Sequence, residues 1–222
     1  VYKRQKWAQP FQVTGYGDQT FEWDTHGIAE RLAAQYRERP EGPHCENTKI
    51  WVFCNSAGGL GMLLYDRVFG RNTYRAFENF VGYTRDNYIT IGSDGGLERI
   101  TSFYDPIEDY HFGGGPASGL NTAHLMLPQN RELGTMIYEA AANTLGWRDG
   151  GGNVGPSAEG LILSNELGDD AVHQRIRAAV ERAQEPRAFG AQQEQFGYFF
   201  NNNEGYPRGQ GSAMLMAAEV AI

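Results

Sequence analysis

Hydrophobic and polar positions repeat with a helical period over most of this chain, and the pattern predicts eight helices of two kinds. Helices with a charged face are predicted at residues 21–38, 72–88, 131–147 and 170–185. Nearly charge-free helices are predicted at residues 50–68, 116–127, 157–167 and 209–222. An amphipathic helix exposes one face to water, whereas a helix that is apolar all round is buried. The two kinds alternate strictly along the chain.

Strict alternation of exposed and buried helices indicates an outer and an inner layer. It therefore predicts an all-α fold, an (α/α)6 barrel or toroid, with an irregular all-α domain as the alternative. A complete barrel of this kind has twelve helices and this chain holds about eight, so we expect further helices before Val1. The predicted organisation is a single barrel domain over residues 1–222 that lacks the N-terminal helices of the full barrel.

Two departures from helical patterning stand out. Residues 88–105 place β-branched runs on either side of Ser-Asp-Gly-Gly, which predicts a short β-hairpin. The loops FGGGPASG and WRDGGGNVGPS are glycine-rich, but neither has the spacing of a phosphate-binding loop. We interpret them as loops at the rim of the barrel.

Composition narrows the possible partners. The 222 residues carry a formal net charge of -8, which argues against nucleic acid and anionic membranes. The longest apolar run, residues 50–65, contains Asn55 and Ser56 and predicts a buried core helix rather than a membrane span. No signal peptide is recognisable, and unpaired thiols favour a reducing compartment, so the cytoplasm is the expected location.

The only two cysteines, Cys45 and Cys54, lie nine residues apart. In one continuous helix they would be on opposite faces, about 13 Å apart along the axis. Prolines precede Cys45, and Asn47 or Thr48 is a natural N-cap, so Cys45 is expected in a loop that folds back toward the helix. Cys54 belongs to one stripe of the helix, together with Trp51, Gly58, Gly61 and Tyr65.

Three interpretations of the cysteines remain open. In the first interpretation the thiols only pack in the core, because free cysteine is among the most buried residue types. Alternatively, they bind a metal together with His44, although no CxxC pair supports zinc. In the third interpretation they form a catalytic pair, in which a helix N-terminus favours one thiolate and apolar burial keeps the other thiol protonated.

Several segments resemble the linalool dehydratase–isomerase family. The resemblance is strongest in Cys45-Glu46 and CNSAGGLGMLLYDRVFG, with VTG and Asp18 upstream, and it continues more faintly through FYDP, SGLNTAHLM and SNELGDD. It implies the (α/α)6 barrel and cofactor-free, metal-free chemistry on a small hydrophobic terpenoid. That chemistry is dehydration of an allylic alcohol to a diene, or allylic isomerisation. The resemblance also implies a homo-oligomer with shared sites, and exported members leave a periplasmic location open.

The resemblance assigns roles to individual residues. Cys45 and Cys54 match the two catalytic cysteines, Trp51 matches a pocket phenylalanine and Tyr104 matches a pocket aromatic residue. Leu120 falls near a pocket tyrosine of the family. A site histidine of the family falls within residues 1–6, where this chain has Lys3, Arg4 and Lys6 instead.

The expected mechanism uses one thiol to protonate the leaving hydroxyl and the other to accept a proton from carbon, in either assignment. Aromatic faces of Trp51 and Tyr104 are expected to stabilise cationic character. Asp105 and His111, near Tyr110 in a predicted rim loop, are candidates for the missing acid. Weaker candidates are His124 on an inner helix, the pair Glu204 and Arg208, and His26 and His173, which are expected on the surface.

Three other functions remain open. A terpenoid cyclase would use the same scaffold. A carbohydrate-active (α/α)6 enzyme would need a carboxylate pair in the lumen, where the inner helices carry few acids, chiefly Glu159, Glu166 and Glu219. A non-enzymatic barrel would explain the absent histidine.

Overall fold

A computed structural model describes residues 8–149, 154–200 and 206–220. Its α-helices lie close to the predicted ones. Their bounds are α1 Thr25–Glu38, α2 Val52–Phe69, α3 Glu78–Tyr83, α4 Leu120–Met126, α5 Arg131–Thr144, α6 Ala158–Leu167, α7 Asp170–Ala183 and α8 Gly209–Val220. The helix predicted over residues 72–88 is broken, because a 3₁₀ turn at Tyr74–Phe77 precedes α3 and a π-helical turn at Thr84–Tyr88 follows it.

The described residues also form three antiparallel sheets or hairpins. The strands are β1 Phe11–Thr14, β2 Thr20–Trp23, β3 Ile50–Trp51, β4 Ile89–Ile91, β5 Leu97–Asp105, β6 Tyr110–Gly114, β7 Pro186–Phe189 and β8 Gln195–Tyr198. β1 pairs with β2, and β7 pairs with β8. The central sheet has the order β3-β5-β4, and β6 also pairs with β5. The predicted hairpin is thus two strands of a four-stranded sheet.

The predicted all-α barrel is wrong. The chain is mixed α/β, with about 53% helix and 17% strand in three sheets. Short runs of aromatic and β-branched residues, such as Thr20–Trp23 and Ile50–Trp51, pair as strands where the helical pattern had been extended through them. The alternative of a carbohydrate-active enzyme was based on the predicted barrel. Because the barrel is wrong, that alternative has no support from the fold.

The chain divides into two compact units. The first comprises residues 1–91 and 99–113 and, within the described residues, contains α1 to α3 and most of the central sheet. Asp24 caps α1 by accepting a hydrogen bond from the Gly27 N–H at 2.6 Å. The core is aromatic, since Tyr36, Phe77, Phe80 and Tyr88 are almost completely buried. Ring centroids of Tyr36 and Phe77 are 5.1 Å apart in an edge-to-face contact.

The second unit comprises residues 92–98 and 114–222. Its described helices, α4 to α8, bury apolar side chains such as Leu133, Ile137, Leu161 and Ile176. The Tyr138 hydroxyl donates to Asp169 Oδ2 at 3.0 Å, and burial followed by the Asp169 charge raises the pKa of Tyr138. Burial of these apolar side chains accounts for the helical period in the sequence, which predicted the helices correctly although the predicted barrel is wrong.

Three histidines outside the central sheet are half-buried and hydrogen-bonded. His26 Nδ1 lies 2.7 Å from the Tyr65 hydroxyl, and His173 Nδ1 lies 3.1 Å from the Leu161 carbonyl oxygen. Both had been expected on the surface. Burial lowers the pKa of His124, whose Nδ1 faces the Leu120 carbonyl oxygen at 3.4 Å. In each case the ring nitrogen has a structural partner within its own unit.

Within the described ranges, no helix is both long and apolar enough to cross a membrane.

Gly113 on β6 makes a close backbone contact that we expect to be essential. A Cβ atom there would lie 2.1 Å from the Ile100 carbonyl oxygen and 2.8 Å from Thr101 Cα. Gly113→Ala should therefore lower the free energy of unfolding by about 2 kcal/mol, because the backbone must move apart. Gly115→Ala is the control, since a Cβ at Gly115 meets nothing within 4 Å. Urea unfolding should separate the two variants, and equal stabilities would contradict the close packing of β5 and β6.

Candidate active site

The loop that carries Cys45 folds back onto the start of α2, as its sequence predicts. The Cys45 N–H donates to the Lys49 carbonyl at 3.2 Å, and the Lys49 N–H donates to the Glu46 carbonyl at 3.1 Å. The helix begins later than predicted, with Trp51 rather than Asn47 or Thr48 at the N-cap. Residues 50–51 are instead held as β3, which pairs with β5.

The two thiols of the chain are neighbours in space. The Cys45 side chain acts directly on Cys54, whose pKa it helps to raise, and both are free cysteines. The backbone N–H of Trp51, at the start of α2, donates to Cys45 Sγ at 3.2 Å. This N–H directs positive charge at the Cys45 sulfur, which is the exposed member of the pair. Loop folding thus overcomes the separation that a continuous helix would impose.

Cys54 is the member of the pair that holds its proton. Burial, followed by the negative charge of Cys45 and the hydrogen bond to it, raises the pKa of the Cys54 thiol to about 11. The carboxylate of Glu46 acts in the same direction. At neutral pH Cys54 is therefore a neutral thiol, and a neutral thiol beside an acceptor sulfur is a proton donor.

This asymmetry predicts the order in which the thiols react. At pH 7.5 iodoacetamide should alkylate the exposed Cys45 first, and Cys54 on the order of 100-fold more slowly than an ordinary cysteine, because only the thiolate reacts. Labelling of Cys54 should accelerate as the pH rises toward 11. Peptide mass spectrometry after timed quenching measures both rates. Faster labelling of Cys54 at pH 7.5 would contradict the assignment of Cys54 as the protonated member.

Two buried residues, Asn55 and Tyr36, form hydrogen bonds that fix the chain around the thiol pair. Asn55 is 3% exposed, and its Nδ2 donates to the carbonyl oxygens of Pro43 at 3.2 Å and Trp51 at 2.9 Å. The Tyr36 hydroxyl lies 3.0 Å from both the backbone and the side-chain oxygen of Asn55. Burial, and then the charges of the two cysteines, raises the pKa of Tyr36. Asn55 thus ties the chain before Cys45 to the start of α2.

Gly42 allows the chain before Cys45 to pass close enough to hydrogen-bond with Asn55. Its φ of +103° favours glycine, and a Cβ there would lie 2.8 Å from Asn55 Oδ1. Sequence analysis missed the roles of Tyr36, Gly42 and Asn55. The available signal was Asn55 itself, a polar residue in a helix that otherwise predicts burial.

Aromatic rings cover one face of the sheet beside the pair. Trp51 and Phe103 are register partners in β3 and β5, with ring centroids 4.9 Å apart. Phe53 meets Trp51 at 5.8 Å, and Phe112 stacks on Phe103 at 5.0 Å. Lys49 Nζ lies 5.6 Å from the Phe103 centroid. Together these side chains form a largely apolar cluster around Trp51, whose backbone N–H donates to Cys45 Sγ.

Tyr104 and His111 form a separate cluster on the opposite face of β5, because successive strand residues alternate between faces. Their rings stack at 4.4 Å, and the Tyr88 ring lies 5.7 Å from His111. The Tyr104 hydroxyl donates to Asp109 Oδ1 at 3.1 Å. Burial lowers the pKa of His111, an effect that Asp109 opposes. These two predicted site residues contact each other, on the other side of the strand from Trp51.

Asp105 holds loops together. It accepts a hydrogen bond from the Thr48 hydroxyl at 2.8 Å and from the Ile107 N–H at 3.0 Å. The Thr48 hydrogen bond is the main reason that the pKa of Asp105 lies below its usual range. Since Thr48 follows Cys45 in the same loop, Asp105 anchors that loop to the end of β5.

The remaining predicted site residues lie elsewhere. Leu120 begins α4 in the second unit and is buried there, while Tyr110 is 52% exposed on β6. The backbone N–H of Arg208 donates to the Tyr198 carbonyl before α8. Residues 1–6, where the family histidine would fall, and Glu204 lie outside the described residues. Among described side chains, no group of three or more His, Cys, Asp or Glu residues is arranged to hold a metal ion.

Comparison with known proteins identifies the family of this chain. No curated protein matches this chain. The profile of the family described as linalool dehydratase/isomerase matches residues 6–160, more than two thirds of the 222 residues. The match spans the Cys45 loop, α2 and the central sheet. This chain belongs to the linalool dehydratase/isomerase family.

Proposed function

We propose that this protein is a cofactor-free lyase and isomerase that acts on an allylic terpenoid alcohol through Cys45 and Cys54. The neighbouring thiols Cys45 and Cys54, lying within the family match, are the observation that carries the proposal. Family membership supports dehydratase or isomerase chemistry on a terpenoid. The asymmetry of the two thiols supports a division of roles between them.

Cys54 is the proposed acid. A hydroxyl group leaves as water only after its oxygen receives a proton, and the raised pKa of Cys54 keeps that proton available at neutral pH. Proton transfer from Cys54 Sγ to the hydroxyl oxygen breaks the C–O bond. It gives water, an allylic cation and a Cys54 thiolate.

Cys45 is the proposed base. In the proposed reactive form, the Cys45 sulfur, which accepts the Trp51 N–H, is a thiolate and takes a proton from the carbon next to the cation. The C–H electron pair becomes the second double bond of a diene. The Cys45 thiol then returns its proton to the neighbouring Cys54 thiolate, the stronger base of the two. This transfer restores the starting state without an outside reagent.

Isomerisation uses the same pair with one step changed. The released water attacks the other end of the allylic cation and gives its extra proton to the Cys54 thiolate. Cys45 keeps its charge throughout. The ratio of diene to isomerised alcohol therefore depends on how long water stays beside the cation.

The aromatic surface beside the pair fits a cationic intermediate. The faces of Trp51 and Phe103 attract positive charge, and such contacts are worth about 2 kcal/mol when water is excluded. Tyr104 was expected to share this role, but it lies on the other face of β5. Phe103 is therefore the ring that we pair with Trp51.

A substrate panel tests the function. Reduced, anaerobic protein is incubated with allylic alcohols of ten to twenty carbons (about two to four isoprene units), and with prenyl diphosphates, and products are identified by gas chromatography–mass spectrometry. A diene or rearranged alcohol supports the proposal. A cyclic product would favour the cyclase alternative, and absence of any product would contradict thiol chemistry on terpenoids. A thiol alkylator should abolish any turnover observed.

Assembly, domain organisation and location remain predictions, of which only the assembly follows from the family resemblance. A homo-oligomer with shared sites, a single-domain organisation and a cytoplasmic location are each expected on grounds already given. Light scattering of the purified protein measures the first directly.

A further inference from the structure

The indole N–H of Trp51 is a buried donor without a partner. Nε1 has essentially no accessible surface and no hydrogen-bond acceptor among the described residues. Buried polar groups in native proteins are nearly always hydrogen-bonded, and an unmade bond at a donor is costly. A phenylalanine would fill much of the same space without this cost, so the donor calls for an explanation.

The other polar atoms of Trp51 are already used. Its backbone N–H donates to Cys45 Sγ at 3.2 Å, and its carbonyl accepts from Asn55 Nδ2 at 2.9 Å. These bonds fix the residue beside the thiol pair. Only the indole N–H is left for a further partner.

The rings around the indole offer no oxygen acceptor. Phe53 meets Trp51 edge-to-face with centroids 5.8 Å apart, and Phe103 lies at 4.9 Å. Trp51, Phe53 and Phe103 are all only half-buried as whole side chains. Partial exposure leaves these rings room to rotate when a ligand binds.

We infer that the Trp51 indole N–H donates a hydrogen bond to the hydroxyl oxygen of a ligand bound at the thiol pair. The inference rests on the proposed function for the place where the ligand binds. A hydroxyl oxygen has two lone pairs, so it accepts the indole N–H and the Cys54 proton together. Trp51 thereby makes the site select an oxygen-bearing apolar molecule over a hydrocarbon of the same shape.

Binding of unreactive probes tests this selectivity separately from turnover. The probes are a saturated tertiary ten-carbon alcohol, which has no allylic cation to form, and the hydrocarbon of the same skeleton. We expect the native protein to bind the alcohol about tenfold more tightly than the hydrocarbon. Trp51→Phe keeps a ring but removes this donor, so the preference should fall by about fivefold, leaving what the Cys54 proton contributes. Trp23→Phe, at a half-buried tryptophan on β2, should retain it.

The ¹⁵N-labelled native protein provides a second measurement that does not depend on the folding of a variant. Addition of the alcohol should shift the Trp51 indole resonance downfield, whereas the hydrocarbon should not. Alcohol binding without that shift, or an unchanged preference in Trp51→Phe, would mean that the indole N–H does not bind the ligand and would overturn the inference.

The two proposals fail in different ways. A shifted indole signal in a protein that turns over no alcohol would support the Trp51 inference and contradict the thiol chemistry. Turnover without the shift would do the reverse. If neither probe binds, the Trp51 inference is wrong, and the substrate panel alone decides the thiol chemistry.

Discussion

Cys54→Ala is expected to lower kcat/KM for an allylic alcohol by about 10²- to 10⁴-fold, the usual contribution of a general acid. The variant removes the only group that the structure holds as a neutral thiol beside Cys45, with a pKa of about 11. Cys54→Ser should lose nearly as much activity, because a serine hydroxyl is a much weaker acid than a thiol. Product formation followed by gas chromatography measures both variants.

Leu64→Ala is the matched control for this loss. Leu64 lies on the same helix, α2, and is 51% exposed, so its truncation leaves the thiols and their supports in place. Its activity should equal that of the native protein. Full activity in Cys54→Ala would show that the proton comes from another group, and the acid role of Cys54 would then be wrong.

Asn55→Ala is expected to lower the free energy of unfolding by about 3 kcal/mol, since several buried hydrogen bonds are lost at one position. The carbonyls of Pro43 and Trp51 lose their Nδ2 donor, and the Tyr36 hydroxyl loses one of its two acceptors. The Cys45 loop should loosen as well, so alkylation of Cys54 should accelerate. Chemical denaturation and the labelling assay read out the two effects.

Two variants separate the role of Asn55 from general damage. Asn47→Ala makes the same substitution at an exposed position of the same loop and should change stability by less than about 0.5 kcal/mol. Tyr36→Phe removes the hydroxyl but leaves the bonds from Asn55 to the loop, so Cys54 labelling should stay slow. If Asn55→Ala matched Asn47→Ala in stability, the tie between the loop and α2 would not be important.

The helices could be predicted because their residues repeat with a period that burial imposes. Seven of the eight helices in the described residues differ from the prediction by only a few residues at their ends. The helix over residues 72–88 was predicted whole but is broken into 3₁₀, α and π segments. The strands were missed, apart from the predicted hairpin, because runs as short as Ile50–Trp51 carry no period of their own.

The features of the candidate site also fall into those determined by the sequence and those decided by the tertiary structure. The sequence by itself determined that Cys45 and Cys54 belong to a recognisable block, that Cys45 lies in a loop and that Trp51 lies beside them. Only the tertiary structure decided that the thiols are neighbours, that the pKa of Cys54 is raised and that Asn55 holds the loop. It also decided that Trp51 and Tyr104 face opposite sides of the sheet. Residue type and spacing depend on neighbours along the chain, whereas a thiol pKa, a hydrogen bond and a strand face depend on neighbours in space.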